Sequence, residues 1–599
     1  MTIVNAAARI RVRYLDVAGD DRTLALPTDG LRPLRIQGRV HSPALFRDGL
    51  ISIADVVSSD LRRKASDRSD YLAYVLAKGG KVTQALWDAQ KAFLERAYGE
   101  DRAEESPLGP IVTAAPDRLS VEAFSRDESA YARLDLEVPG AVAASELTIG
   151  TTSLSLSSGL LDRLRRLRNY RTLDLDVSPL EAGTDREILV PYRWLRAFAE
   201  VQAAATLPAA ELELAPIDLY NVLLALRRRK AKKPPRALRF ELVPGEKPRL
   251  VLEPWDQVIE TNGQAYAGPR PLVVRTFGRN RLQLLAKLLP HARSVRVLAA
   301  GPGLPVSYVL DAGAATFTLS LSGWTDAGWA GIATFDLLTT TSRDELLRQR
   351  ALKALSPSGR SLADLAAELG RSSNELRGCL LELIQAGEIY FCLKTRTFRP
   401  RRLVGEPIDV EKLRYRDSTE EKAHRLLELE GQVQVAKLHD RGAEGVSIEG
   451  KVEDRALHRV YEPSFVLDRE GRTTSASCGC PKIRRAALRE GPCEHMIALR
   501  IRHSRDQVEK EKARATPEGQ RSVQAETRTF VRRVAGRAET HRISLDGRTL
   551  LVREERPGSS PRYVRIFFRK SEEARVEYFQ RLDSLGDDGF IDASAAEVG

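Results

Sequence analysis

Cys478-Gly479-Cys480 is followed, after twelve residues, by Cys493-Glu494-His495, and no other feature restricts the possible fold of this chain as tightly. Three thiols and an imidazole are four soft or borderline ligands, the number that closes a tetrahedral zinc site. A closed site leaves no position for an activated water, so the expected ion is structural. The chain has five cysteines, an odd number, with Cys379 and Cys392 lying elsewhere. A disulfide framework is therefore not expected.

The flanking pattern gives the cluster a local scaffold. Arg459 to Leu467 alternates as a strand, Asp468-Arg469-Glu470-Gly471 reads as a turn, and Thr473 to Ser477 returns toward Cys478, with Pro481 just beyond. Gly491-Pro492 precedes the second pair, and Met496, Ile497, Leu499 and Ile501 continue an apolar helical face. Cys493 and His495 are thus expected in a first helical turn, whose positive end favours thiolate. Lys482, Arg484 and Arg485 are placed to offset the negative charge of three thiolates on a divalent ion. A hairpin, CxC, a spacer and CxH leading into a helix resembles the SWIM zinc finger over roughly Val446 to His503. That resemblance implies Cys478, Cys480, Cys493 and His495 as ligands of one structural zinc ion, and binding to DNA or to proteins.

Upstream, Asp344 to Arg402 reads as three helices and a hairpin. Leu362, Leu365, Ala366 and Leu369 line one helix and Leu376, Leu380, Leu383 and Ile384 the next, with Gly370 and Gly387 as stops. Glu388 to Leu393 and Thr397 to Arg401 are strands around a basic tip, Lys394-Thr395-Arg396. The segment resembles a winged helix-turn-helix domain, which implies base reading from the start of the third helix, here Ser372, Ser373, Asn374 and Arg377. Lys394, Arg396, Arg399, Arg401 and Arg402 would then contact phosphates. Glu375 and Glu382 on the same helix oppose that role.

After a charged stretch, Ser504 to Arg521, strands are expected at Thr527–Val534, Arg542–Ser544, Leu550–Arg553 and Arg562–Phe568, then a helix from Ser571 to Leu585. The finish, Lys570-Ser571-Glu572-Glu573-Ala574 through Gly589-Phe590-Ile591-Asp592, resembles a degenerate WGR domain. The Trp-Gly-Arg signature itself is replaced by about Arg553-Glu554-Glu555. The resemblance implies a sheet with a helix, in a family that binds nucleic acid.

The remaining chain is read from pattern alone. At 599 residues and 42% hydrophobic content the protein is globular with several folding units. The expected class is multidomain α+β: an N-terminal region 1–142, a second α+β region 143–343, the winged-helix-like segment 344–402, the zinc-finger domain 403–503, a linker 504–521 and the WGR-like domain 522–599. Tyr71 to Tyr98 has helical spacing interrupted at Gly79 and Gly80, and Arg9 to Val17 alternates as a strand. Helices are expected at Leu160–Arg168, Tyr192–Ala205, Pro216–Lys233 and Arg281–Leu289. Leu238–Val243 and Arg249–Glu253 form a hairpin about Pro244-Gly245-Glu246. Gly301-Pro302-Gly303 lacks the spacing and the Lys-Ser/Thr of a phosphate loop.

Charge points to a polyanionic partner. The chain carries a net +12, and residues 481–570 hold 23 basic against 11 acidic side chains, whereas 571–599 hold 2 against 8. The basic run Arg227 to Lys233 reads as a solvated helix end or a phosphate patch. Two methionines and heavy use of Leu, Ala and Arg resemble a high-GC bacterial composition. No apolar run of membrane-spanning length and no secretory start are visible, so a cytoplasmic location is expected. The leading expectation is a non-enzymatic nucleic-acid-binding protein, DNA foremost; a protein-interaction adaptor in a bacterial stress or defence assembly is the alternative. An enzyme hidden in residues 1–340 has no visible Ser/His/Asp motif, and no small-molecule substrate or membrane partner suggests itself.

Overall fold

A computed structural model describes residues 7–13, 23–28, 34–60 and 109–593, with breaks of which the longest are 324–343 and 515–526. The expected helix within Tyr71–Tyr98 lies outside the described residues. The protein is a mixed α/β assembly of several sheets, in agreement with a multidomain α+β class. Among the described residues no helix is long and apolar enough to cross a membrane.

The centre is an eight-stranded antiparallel sheet, in the order Ala210–Leu214, Ser294–Ala299, Val306–Asp311, Ala315–Leu321, Ala130–Glu137, Arg118–Phe124, Ile111–Ala115, Gly150–Ser153. Its middle joint pairs Ala315–Leu321 with Ala130–Glu137, so one sheet spans the boundary expected at 142/143. Strand periodicity divides its residues between two faces. On one, Leu119, Val121, Leu134, Phe317 and Leu319 enter the main apolar core with Phe46 and Leu50 of the helix Pro43–Ser58 and Val222 of the helix Pro216–Arg228. The other face is polar yet buried: Ser120, Glu122, Arg133, Asp135, Thr316, Thr318 and Ser320 are all at most 6% exposed. Buried polar groups need partners, and this face finds them in the segment that follows.

That segment holds helices Glu345–Ala354, Leu362–Leu369 and Ser373–Gln385 and the hairpin Ile389–Cys392 with Thr397–Pro400. Asp344, Ser361 and Ser372 cap the three helix starts, and Gly370 ends the second at φ +62°, a left-handed conformation that glycine adopts freely. Leu365, Leu376, Leu380, Leu383 and Ile384 form its core, joined by Ala199 and Ala203 of the helix Tyr192–Ala205. Its hairpin lies on the polar sheet face: Arg401 bonds Glu122, and Arg133 sits 3.8 Å from the Tyr390 ring centre.

Three sequence expectations are corrected in the N-terminal half and beyond. The helix from Pro216 ends at Arg228 rather than Lys233, because the chain turns extended at Arg229. Arg281–Leu289 forms 3-10 turns, Arg279–Leu285 and Leu289–His291, in place of an α-helix. Ser504 to Arg514 is the tail of a 21-residue helix, Glu494–Arg514, and only the rest of the expected linker falls in the undescribed stretch. The hairpin expected at 238–253 is present, as Leu238–Leu242 paired with Arg249–Leu252 inside a four-stranded sheet completed by Gln257–Glu260 and Leu272–Thr276.

The C-terminal sheet runs Arg562–Phe567, Thr549–Glu555, Arg537–Asp546, Thr527–Val534, Ile591–Asp592. Phe530, Ile543, Leu550 and Val552 turn one face onto Tyr578 and Leu585 of the helix Ser571–Asp587.

Candidate metal centre

The cluster is built where a small sheet meets a helix start. Val446–Asp454 is flanked by Val433–Asp440, Ser464–Leu467 and Arg459–Tyr461, and Thr473–Ser477 on the outer side leads directly into Cys478. The expected single strand Arg459–Leu467 is two strands, split at Glu462 and Pro463. After Cys480 a short helix, Pro481–Ala486, turns the chain, with the Arg484 amide donating to the Cys480 carbonyl at 3.0 Å. Glu494–Arg514 begins immediately after Cys493, whose carbonyl accepts from the Ile497 amide at 3.1 Å. This helix presses Leu499 against the sheet at Gly450; a Cβ there would lie 2.2 Å from a Leu499 methyl.

Cys478, Cys480, Cys493 and His495 converge so that one ligand atom from each lies within 4.8 Å of all the others. A tetrahedron of thiolates about a zinc-sized ion has edges of about 3.8 Å, so a small contraction suffices. All four are buried, Cys478 being the most accessible at 8%. Both ring nitrogens of His495 are buried without a hydrogen-bond partner in the protein. An orphaned buried imidazole is costly, and a metal ion relieves it.

The thiols report the same crowding. A hydrogen bond shared with Cys493 draws Cys478 below the usual thiol value, and the same bond together with burial pushes Cys493 up to about 12. Burial also raises Cys480. Without a cation the pocket cannot hold three thiolates; with a divalent one it can. The cluster can therefore hold a metal ion.

Two neighbours that sequence reasoning missed surround His495. Asp454 Oδ2 lies 3.6 Å from His495 Nε2, and the Tyr461 ring is 4.1 Å from the imidazole centre. Asp454 continues the buried set Ile448, Gly450, Val452 at two-residue spacing. A carboxylate at the fourth position of an inward face was the available signal. A further anchor ties this module to the body: Arg196 grips Glu420 of the helix Ser418–Leu427 through two bonds of 2.7 and 3.1 Å, both side chains being buried.

The candidate nucleic-acid residues separate into two groups. Asn374 and Arg377 are exposed at the start of their helix, whereas Ser372 and Glu375 bond each other in a capping box. Arg484 and Arg485 are exposed, and Lys482 donates to the Pro492 carbonyl at 3.0 Å, bracing the two halves of the cluster. The hairpin cations are paired with carboxylates instead, Arg399 and Arg401 being buried and Arg396 exposed. Lys394 bonds Glu137 at 2.8 Å, Arg396 pairs with Glu211, Arg399 with Asp117 at 2.8 Å, and Arg401 with Glu122. Each of the four is thus already paired with a carboxylate of the N-terminal half, so phosphate contact by any of them would have to displace that partner.

No protein family and no curated protein matches the chain. Among solved structures it is similar to proliferating cellular nuclear antigen from Entamoeba histolytica, at 10% identity and a TM-score of 0.30, over 48% of this chain and 98% of that one. It is also similar to the A. fulgidus PCNA bound to the C-terminal region of FEN-1, at 11% identity and a TM-score of 0.28, over 48% and 97%. Likenesses at these TM-scores carry no argument about function.

Proposed function

We propose that this is a non-enzymatic protein whose Cys478/Cys480/Cys493/His495 cluster binds one structural zinc ion in a SWIM-type finger, and that it binds nucleic acid, DNA foremost. The observation that carries the metal reading is the buried His495 ring, both nitrogens of which lack a protein partner amid three convergent thiols. Four ligands and no accessible fifth position suit a structural ion rather than a catalytic one. Support for the nucleic-acid reading comes from Arg484 and Arg485, held outward by the helix that the CxC pair starts, and from Asn374 and Arg377 on a separate helix start. The winged-helix-like and WGR-like assignments belong to the same proposal.

The test is fluorescence anisotropy of zinc-loaded protein with labelled duplex DNA, single-stranded DNA and RNA at low and moderate salt. The expected result is micromolar or tighter binding that weakens steeply with salt, since each neutralised duplex phosphate contributes a log-log slope of about −0.9. Arg484→Ala with Arg485→Ala should weaken it and flatten that slope. No binding at low salt sinks the nucleic-acid reading. The adaptor reading is then favoured, on the exposed Val576 and Phe579, three residues apart on the helix Ser571–Asp587.

A further inference from the structure

The C-terminal sheet carries a row of arginines on the face opposite its apolar core. Arg542 stands directly across from Arg553, and Arg553 from Tyr563; one step along, Leu551 stands across from Arg565. Like charges directly opposite on a sheet repel, so the row needs counter-charge. Glu555 of the same strand supplies part of it to Arg553, and the rest comes from about three hundred residues away, from the hairpin sheet containing Leu238–Leu242. Glu246 lies 2.5 Å from Arg542 and 3.9 Å from Arg553. Asp256 takes Arg565 through two bonds of 2.9 Å, and Glu260 accepts from the Tyr563 hydroxyl at 3.1 Å.

Three features make this contact displaceable. Its carboxylates are solvated: Glu246, Asp256 and Glu260 side chains are 45, 39 and 59% exposed. Solvated pairs are weak and yield to competing anions and salt. Next, the two sheets do not close-pack, since a cavity of about 200 Å³ lies between them, unlike a settled protein interior. Finally, the Arg553 guanidinium, which also pairs with Glu555 on its own strand, is pulled below its usual value by burial and then by repulsion from Arg249.

We infer that the Arg542, Arg553 and Arg565 face is a second polyanion-binding surface, covered in cis by Glu246, Asp256 and Glu260, which a nucleic-acid phosphate backbone displaces. This rests on the nucleic-acid reading above and adds a closed state to it.

The experiment compares wild type with Glu246→Gln/Asp256→Asn/Glu260→Gln in the full chain. Asparagine suits position 256, where φ is +47°. Duplex-DNA anisotropy across salt should show roughly tenfold tighter binding at low salt and a slope steeper by about two to three units, about 0.9 for each of two or three newly engaged arginines. Hydrogen exchange in Thr549–Glu555 and Arg562–Phe567 should rise in the same variant, while the central strands Ala130–Glu137 and Ala315–Leu321 stay protected, showing that the fold is intact. Adding Arg542→Ala/Arg553→Ala/Arg565→Ala should abolish the gain. Raised exchange without tighter binding, or a gain that survives the arginine substitutions, overturns the covered surface. Wild-type binding that depends on Arg484 and Arg485 would leave the proposed function standing in either case. Conversely, a variant that binds DNA where wild type does not would support the covered surface and overturn only the role given to the zinc finger.

Discussion

Removing the metal should melt the finger and leave the rest of the protein folded. The magnitude follows from His495, whose two buried ring nitrogens lack a protein partner. A metal ion takes one of the two nitrogens, and an unsatisfied buried polar atom costs about 1–3 kcal/mol, so losing the ion costs the finger about that much at the imidazole alone. The module has little to set against this. Its apolar residues fall into three small clusters, around Val433 and Ile501, around Cys493 and Met496, and around Ile448 and Leu499. Whole domains hold only about 5–15 kcal/mol in reserve. Treatment with a chelator, or Cys480→Ser, should therefore accelerate amide exchange across Val446–Asp454 and Glu494–Arg514 by a factor of about 5 to 150, at about 1.4 kcal/mol per tenfold change. Exchange in Ala130–Glu137 should not change. Metal analysis of the purified protein by mass spectrometry completes the assay, with one ion per chain expected. Well under one ion per chain, together with unchanged exchange after Cys480→Ser, would refute the argument.

Further outcomes are expected at four places. Asp454→Asn should weaken metal affinity about tenfold in a competitive chelator titration, because outer carboxylates orient ligating imidazoles. Cys379→Ala should leave the metal content untouched, since that thiol sits in a different core and burial pushes it up to about 11. Glu420→Ala removes the two-bond partner of the buried Arg196, Glu200 lying 3.3 Å away, and should cost roughly 3 kcal/mol, read as a fall in denaturation midpoint. Gly450→Val drives a side chain into Leu499 and should cost about 1–3 kcal/mol by the same measurement, with hydrogen exchange placing the damage in the finger.

What the sequence discloses here is what neighbours along the chain decide. The Leu376, Leu380, Leu383 series between Gly370 and Gly387 identifies a helix because 3.6-residue spacing acts within one turn or two. Pro244-Gly245 marks a hairpin for the same reason, Gly245 having φ +76°. The four presumptive metal ligands are equally local, since two tight turns deliver both pairs. The charges are another matter. Lys394 and Glu137 are 257 positions apart, and Arg565 and Asp256 are 309. A basic hairpin tip reads the same whether it faces solvent or a carboxylate, and only the topology decides. The joint between Ala315–Leu321 and Ala130–Glu137 was hidden for the same reason: alternation identifies strands and leaves their partners open.

The inward-facing hairpin bears on how such a chain could be inherited and dissected. Helix-and-hairpin units of about sixty residues are often regarded as cassettes that genes can exchange, because each carries its own core. Here the hairpin roofs a polar sheet face: Glu122, Tyr131, Arg133 and Asp135 are answered among themselves and by Tyr390, Arg401 and, across to Arg118, Cys392. Excising residues 344–402 would strand those charges in both fragments. Replacing the segment with a foreign homologue would do the same unless the recipient sheet changed with it. A fragment cut at this seam should therefore come out insoluble even though its own helices are well formed.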